Sequence, residues 1–463
     1  MRALAAALAA VLVAGCLQLD EPAAPAADAP DAAAYDAIEA LVGAPFVEDH
    51  DHKDPAQHAA SLNLRLVAQV TGEEGRVPPP GEGYMETAVK DGYAYLSRTG
   101  PEEGLVIFDV SDVEKPKFVS YLHLNAGFEP DVEVSDDGNW LFWETQRAHL
   151  VPPKGTVTAP ATDLPNGVHI VDISDKANPR WAGWSATAPD GPHSITYAEI
   201  GGRHILFQNV YAWAYAYRDQ EVPMMQRLIV SELDASGPVA TLKTLAEYRE
   251  PGATGKPGLF PHDVSVSVHP FLNKTIAYVA YWDVGVVMLD VTDPANPVKV
   301  GVATDFGPAP YRAVHMARPF PHLIDGRHVT VVEPEIGGEP DSGYMTFLDT
   351  TDPANPVYLS SWRLPGNVTS AGGALGPHYF DAADGRVALA SYHAGFWIID
   401  VHDAENLMKP RTVGFALVNA TGAHGGTPSA FDAWWYEGRV FGGDARGGLS
   451  VFRYEGPAPA AEP

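Results

Sequence analysis

The sequence predicts an all-β fold, a seven-bladed β-propeller in which a strand from the N-terminal side completes the last blade. Three observations lead to this prediction. One phrase recurs along the chain at a near-fixed period, alternating apolar and polar segments surround each copy, and the last repeat lacks a fourth strand. Repetition of one all-β unit at such a period is typical of radial or stacked architectures.

The repeated phrase consists of an apolar run, an aspartate and a turn sequence of the type Ser/Thr-Asp-Pro-x-Asn-Pro. Proline presets the backbone for a turn and asparagine tolerates unusual backbone angles. We expect the aspartates to cap this turn through hydrogen bonds to the backbone. A degenerate seventh copy surrounds Arg453, and the first-aspartate position of the other six falls at Asp109, Asp172, Ser231, Asp290, Asp349 and Asp400.

Each repeat predicts four strands. An innermost strand, such as GPHSITY from Gly191, is followed by a glycine-marked turn and a second alternating strand. The repeated phrase is the third strand, and a segment such as KFVSYLHL, directly after the turn, is the fourth. Counting the innermost strands predicts seven blades, although a six- or eight-bladed ring would require only one misassigned repeat.

The last repeat, AFDAWWYEGRVFGGDARGGLSVFRY, stops after its third strand. The segment LNLRLVAQV from Leu62, at the other end of the chain, has the pattern of a fourth strand. We expect it to complete the last blade, since this pairing removes an open sheet edge.

The apolar-Asp-apolar-Ser/Thr-Asp-Pro-x-Asn-Pro phrase resembles the LVIVD repeat, which occurs in extracellular β-propellers of bacteria and archaea. The resemblance covers blades 1, 2, 4 and 5 clearly, blade 6 with an insertion, and blades 3 and 7 poorly. It implies an extracytoplasmic propeller and says almost nothing about chemistry.

The charge balance narrows the classes of partner. The formal net charge is −29, from 30 Lys and Arg against 59 Asp and Glu. Such a charge repels phosphate backbones, so we expect no nucleic-acid partner. The sequence also lacks a phosphate-binding Gly-rich loop with lysine, a CxxC pair and a Gly-x-Ser-x-Gly elbow.

The N-terminus is similar to a prokaryotic lipoprotein signal. Met1-Arg2 precedes an apolar run too short to span a bilayer, and Val13-Ala14-Gly15-Cys16 resembles a lipoprotein cleavage site. An ordinary secretory signal with an incidental cysteine is the alternative. The predicted organisation is a signal ending at a lipidated Cys16 (1–16), a linker or N-terminal arm (17–60), the propeller (61–454) and a disordered tail (455–463). We therefore expect a protein anchored to the cell surface.

Aligning the innermost strands reveals a column of histidines. Four consecutive blades place an imidazole where the innermost strand begins, and in a propeller these positions converge on the central axis. Neutral imidazole binds zinc, copper and iron, so the column predicts a transition-metal or polar-ligand site. A solvated polar channel is the alternative. The column contains His193, His262, His315 and His378, with Asp131 preceding it as a ligand or an acceptor of a ring N–H.

This constellation is similar to the four-histidine iron centre of the carotenoid oxygenase propellers. It is also similar to the propellers of the selenium-binding and methanethiol oxidase family. Only the constellation matches, without extended sequence likeness, so the resemblance implies no particular reaction.

The long insertions support a site at the same end of the propeller. Loops are lengthened where something is bound. Asp283, His393 and Asp444 on tight turns are expected at the rim, and His424 is a candidate lid residue. The insertions and Gly/Pro-rich connections that share this face are 146–165, 212–226, 250–259, 334–343, 365–376 and 419–429.

Two functions are compatible with these patterns. The first is a binding or scaffold protein of the cell surface, which recognises an unknown small molecule or surface protein around an axial histidine site. The second is a metal-dependent oxidase or oxygenase with a four-histidine centre. Convergence of the ring nitrogens on one point would favour a metal site, whether copper, iron or zinc.

Overall fold

The computed structural model describes fourteen segments of the chain. The predicted signal and linker, including Cys16, lie outside them. The described residues are 61–70, 83–98, 103–124, 130–146, 166–187, 191–211, 226–253, 258–309, 313–335, 344–364, 376–392, 394–416, 429–445 and 448–456.

Seven antiparallel sheets form the described part of the chain, so the predicted seven-bladed β-propeller is confirmed and the six- and eight-bladed alternatives are wrong. In the first six blades the strands follow one another from the axis outward. Blade 1 contains β3 (Tyr84–Lys90), β4 (Tyr93–Arg98), β5 (Gly104–Asp109) and β6 (Lys117–His123). Blade 2 contains β7 (Val132–Val134), β8 (Trp140–Thr145), β9 (Gly167–Asp172) and β10 (Arg180–Ala186). Blade 3 contains β11 (Ser194–Ile200), β12 (Arg203–Val210), β13 (Arg227–Asp234) and β14 (Thr241–Tyr248). Blade 4 contains β15 (Pro261–His269), β16 (Lys274–Tyr281), β17 (Gly285–Asp290) and β18 (Val298–Ala303). Blade 5 contains β19 (Val314–Pro319), β20 (Val329–Pro334), β21 (Tyr344–Asp349) and β22 (Val357–Arg363). Blade 6 contains β23 (Phe380–Ala383), β24 (Arg386–Ala390), β25 (Phe396–Asp400) and β26 (Arg411–Ala416).

Blade 7 joins the two ends of the propeller, as predicted. It contains β27 (Ala430–Tyr436), β28 (Arg439–Asp444), β29 (Gly448–Tyr454) and, outermost, β2 (Leu64–Val70). The β2–β29 ladder runs from the Leu64–Tyr454 pair to the Val70–Leu449 pair. The preceding short strand β1 (Ser61–Leu62) extends blade 6 by pairing with β26. The consecutive strands β1 and β2 therefore link blade 6 to blade 7.

The repeated phrase forms the third strand and caps its own turn, as predicted. Asp109 Oδ1 accepts hydrogen bonds from the backbone N and the Oγ of Ser111, at 2.9 and 2.6 Å. These bonds hold the pKa of Asp109 below its usual value. In blade 3 the same contacts link Asp234 to Ser236, whereas Ser231 is buried within β13. The sequence alignment of Ser231 with the capping position was wrong, because β13 runs three residues beyond it.

In blade 6 a short helix, α1 (Ala404–Met408), replaces the Pro-x-Asn-Pro turn. Asp403 caps it, since its side chain accepts a hydrogen bond from the backbone N of Asn406. Nowhere in the described segments is a helix both apolar enough and long enough to cross a bilayer.

Fourth strands carry a small residue where the next blade docks. A Cβ added at Gly183 would lie 1.8 Å from Ala240 O, and one at Gly301 would lie 2.1 Å from Pro353 O. In blade 1 the equivalent residue is Ser120, whose hydroxyl donates to Lys176 O at 2.6 Å. The ladder of each of these three blades has a bulge beside this residue. The turn after the third strand therefore stabilises the outer contact between consecutive blades.

A buried histidine in blade 2 makes stability depend on pH. His169 is 3% exposed, and its Nδ1 accepts a hydrogen bond from Trp181 Nε1 at 3.0 Å. Burial lowers the pKa of His169 to about 4. Blades 1 and 4 carry Val106 and Val287 at the same place in the phrase.

We expect His169 to contribute a fall in the free energy of unfolding as the pH is lowered from about 6.5 to about 4. In this window the unfolded chain binds a proton at His169 and the folded chain does not, so protonation favours unfolding. His169→Val should remove up to about 3 kcal/mol of this loss. Denaturant unfolding at several pH values measures it, with the exposed His322→Ala as control. Equal pH dependence in His169→Val and the wild type would contradict the prediction.

Candidate metal centre

The four predicted histidines are neighbours on the axis. His193 immediately precedes β11, His262 and His315 are the second residues of β15 and β19, and His378 lies two residues before β23. All four are buried, with exposures between 1% and 8%. Successive ring centroids are 4.5, 4.2 and 4.8 Å apart. The column therefore forms a continuous arc of imidazoles.

Bulges aim two of these side chains at the axis. The β15–β16 register shifts between Pro261 and Asp263, at His262. The β19–β20 register shifts between Val314 and Met316, at His315. A bulged residue leaves the regular alternation of the strand, so its side chain takes a new direction.

Three of the rings are oriented through Nδ1. His193 Nδ1 lies 2.9 Å from Gln146 Oε1, His315 Nδ1 lies 2.5 Å from Glu333 Oε1, and His378 Nδ1 lies 2.8 Å from Phe431 O. An oxygen acceptor at one ring nitrogen directs the other nitrogen to act as a ligand. His262 differs, since its Nδ1 is buried without a hydrogen-bond partner.

A carboxylate completes a set of three converging groups. His315 Nε2 lies 3.9 Å from Glu335 Oε2. One ligand atom from each of His262, His315 and Glu335 lies within 4.8 Å of the other two. Across the described segments this is the one group of three or more potential ligands that meets that distance. His193 and His378 flank it, and their predicted ligation stays a prediction.

Neither Glu335 nor Glu333 is among the site residues predicted from the sequence. Glu333 lies in β20 and Glu335 directly follows that strand, at the start of the predicted insertion 334–343. The histidine column lies at the start of the innermost strands, whereas Glu333 lies in the second strand of blade 5 and Glu335 follows it. In VVEPE the two glutamates are two residues apart, so in an extended chain their side chains point to the same side. This spacing is the sequence feature that could have identified them.

Burial keeps the imidazoles neutral. It lowers the pKa of His262, His315 and His378, and for His262 and His378 the other histidines of the arc lower it further. Burial also raises the pKa of Glu333 and of Glu335. Neutral imidazole is the form that binds a metal, and a divalent cation would offset the cost of ionising a buried carboxylate.

Next to the arc, a cavity on the axis has five acidic side chains among the residues that line it. Burial raises the pKa of Asp131 to about 6 and those of Asp263 and Asp432 to about 7. Arg318 donates to Asp381 at 2.8 Å on the same axis. The carboxylates of this cavity are Glu86, Asp131, Glu133, Asp263 and Asp432.

Asp131 bridges two blades. Its Oδ1 accepts from Val132 N at 2.7 Å and its Oδ2 accepts from Ile195 N at 2.8 Å. Asp432 bridges blades 7 and 1 in the same way through Thr87 N at 3.0 Å. These contacts are structural, and the predicted role of Asp131 as an orienter of a histidine stays a prediction.

The predicted rim residues that are described tie loops together. Asp283 Oδ1 accepts from Ala313 N at 3.3 Å, and Asp444 Oδ2 accepts from Ser429 N at 3.0 Å. The predicted rim residue His393 and lid residue His424 lie outside the described residues, as do most of the predicted insertions.

Aromatic rings cover one side of the arc. Tyr211 stacks on Phe260 at 4.1 Å, and Phe260 stacks on Trp282 at 5.3 Å. Trp282 also stacks on His262 at 5.0 Å. This apolar wall limits water around His262 and strengthens electrostatic interactions there.

Comparison with known proteins supports the fold and its repeats. The LVIVD repeat family matches residues 84–122, 162–187 and 276–305, within blades 1, 2 and 4. A search of curated proteins found no match.

Among solved structures, the WD40 β-propeller domain of Doa1 is 10% identical, with a TM-score of 0.50, over 85% of this chain and 98% of that domain. The β-propeller domain of Myceliophteria thermophila Cps50 (Swd1) is 10% identical, with a TM-score of 0.49, over 84% and 99%. Likeness at this identity concerns the fold alone.

Proposed function

We propose that this protein, a seven-bladed β-propeller with LVIVD repeats, binds a metal ion at its axial site. The fold by itself determines no chemistry, so the proposal rests on the residues of that site. The convergence of His262, His315 and Glu335 carries this proposal. Two imidazoles and a carboxylate form a ligand set for zinc, iron or copper.

The surroundings support the same conclusion. His262 Nδ1 is buried without a partner, although a buried polar atom normally has one. His315 is held from behind by Glu333, as metal-binding histidines commonly are. A buried polar atom without a partner costs stability unless a ligand satisfies it, and a metal ion held by His262 would do so.

We expect the purified protein to bind about one equivalent of a divalent transition metal at this site. His262→Ala and His315→Ala should each weaken Zn²⁺ binding by about 100-fold or more, because each removes a ligand. Elemental analysis and competitive Zn²⁺ titration measure this, with the exposed His322→Ala as matched control. If the wild type binds no zinc, iron or copper after reconstitution, the metal-binding proposal is wrong. The propeller would then be a binding protein for another kind of ligand.

A metal-dependent oxidase or oxygenase is the second candidate. The observation that favours it is the two-histidine, one-carboxylate set, which is typical of non-haem iron sites that retain open coordination positions. A metal bound there would supply Lewis acidity or oxygen activation. The protein itself would orient the ligands and exclude water through the Tyr211, Phe260 and Trp282 wall.

We expect the Fe²⁺-loaded protein to consume oxygen faster than its His315→Ala variant, because the variant lacks a ligand. An oxygen electrode under a reductant measures this, and Zn²⁺-loaded protein is the control, since zinc is redox-inactive. Equal rates in the three samples would leave metal binding intact and exclude this oxidase function.

The cellular place of the protein is a further part of the proposal. The apolar run before Val13-Ala14-Gly15-Cys16 supports export and lipidation at Cys16. A lipid anchor would hold the propeller at the cell surface, where it would bind a small molecule or a surface protein and no nucleic acid. The formal net charge of −29 supports the last point.

We expect Cys16→Ser to abolish incorporation of a labelled fatty acid in a bacterial host and to release the protein from the membrane fraction. The thiol is the acceptor of the lipid, and a serine hydroxyl does not replace it as a nucleophile. Labelling that persists in Cys16→Ser would contradict the anchor.

A further inference from the structure

Glu335 uses its two carboxylate oxygens differently. Its Oε1 accepts a hydrogen bond from the hydroxyl of Tyr392, a residue of blade 6. Its Oε2 faces the arc, 3.9 Å from His315 Nε2. Its backbone N donates to Ala313 O at 3.0 Å. One oxygen is therefore engaged by tyrosine and the other is directed to the candidate ligand set.

The two residues that hold Glu335 both have unfavourable backbone conformations. Tyr392 has φ +34° and Ala313 has φ +56°, a region that residues with a Cβ rarely adopt. Such conformations cost free energy and persist only where surrounding contacts impose them. Here Ala430 N donates to Tyr392 O at 3.0 Å, and Ala313 N donates to Asp283 Oδ1 at 3.3 Å. Contacts from blades 4, 6 and 7 thus fix this carboxylate of blade 5.

We propose that Tyr392 is a positioning residue that keeps Glu335 as a one-oxygen ligand and so leaves a coordination position open for water or a small anion. The inference rests on the proposed metal centre. A carboxylate binds a metal through one oxygen or both. With Oε1 engaged by Tyr392, only Oε2 reaches the ligand set, and the position that a second oxygen would fill stays available. Retaining such a position distinguishes catalytic metal sites from closed structural ones.

The structure offers a matched control. Tyr248 also donates its hydroxyl to a glutamate, at 2.6 Å from Glu250 Oε2, and Glu250 is further held by Lys299 at 2.6 Å. Tyr248→Phe therefore removes the same type of hydrogen bond from a glutamate outside the ligand set.

The test uses Co²⁺ as the metal and azide as the anion, with the full chain. We expect azide to change the visible spectrum of the saturated Co²⁺ wild type. Tyr392→Phe should still bind Co²⁺, with about 10-fold lower affinity, because a hydrogen bond to a ligand is lost. It should bind azide at least about 10-fold more weakly, because both oxygens of Glu335 then reach the metal. Tyr248→Phe should behave as the wild type in both titrations.

Equal azide affinity in Tyr392→Phe and the wild type would overturn the positioning role. If Tyr392→Phe does not fold, the infrared difference spectrum of metal-loaded against metal-free wild type decides. A wide separation of the two carboxylate stretches indicates binding through one oxygen, and a narrow separation overturns the proposal. A wild type that binds no Co²⁺ would instead overturn the metal centre itself.

Discussion

The ladder between β2 and β29 is the constraint on which the rest of the structure depends. Blade 7 has three strands from the C-terminal side and one from the N-terminal side, so the ring closes when distant parts of the chain pair. The ladder satisfies the backbone groups of what would be an open edge, and it buries Leu64 in a cluster with Phe396 and Phe452. The innermost strands meet around one axis because the ring is closed. The geometry of His262 and His315 therefore depends on a contact at the periphery.

Two sets of contacts hold consecutive blades together. On the outside, the turn of one blade docks on a glycine or serine of the preceding fourth strand, as at Gly301 and Ser120. Near the axis, aspartates such as the half-buried Asp131 and the buried Asp432 accept backbone N–H groups from the next blade. A buried carboxylate that accepts two N–H groups recovers part of the solvation lost on burial. Between blades 2 and 3, for example, both the innermost and the outermost strands are fixed to the next blade.

The axis is divided into two electrostatic regions. At one end lie neutral imidazoles with Glu333 and Glu335, whose pKa values burial raises. Directly next to them lie the acidic residues of the cavity with one cation, Arg318, which is bound to Asp381. A divalent metal at the first end would supply the positive charge that the described side chains there do not. The geometry of Glu335, shared between Tyr392 and the histidine arc, indicates where such a charge would sit.

The sequence by itself determined the architecture. Periodicity and turn chemistry are local properties, so the repeats predicted seven blades, the closing strand from Leu62 and the capping role of residues such as Asp109. It also placed the four histidines in one column, since equivalent positions of a repeat become neighbours around an axis. Only the tertiary structure decided which side chains converge. Glu335 follows a second strand, and its reach to His315 depends on bulges and on Tyr392 of another blade, none of which has a period in the sequence. The shift of the capping position from Ser231 to Asp234 has the same origin, because strand length is decided by pairing with neighbouring strands and not by the repeated phrase.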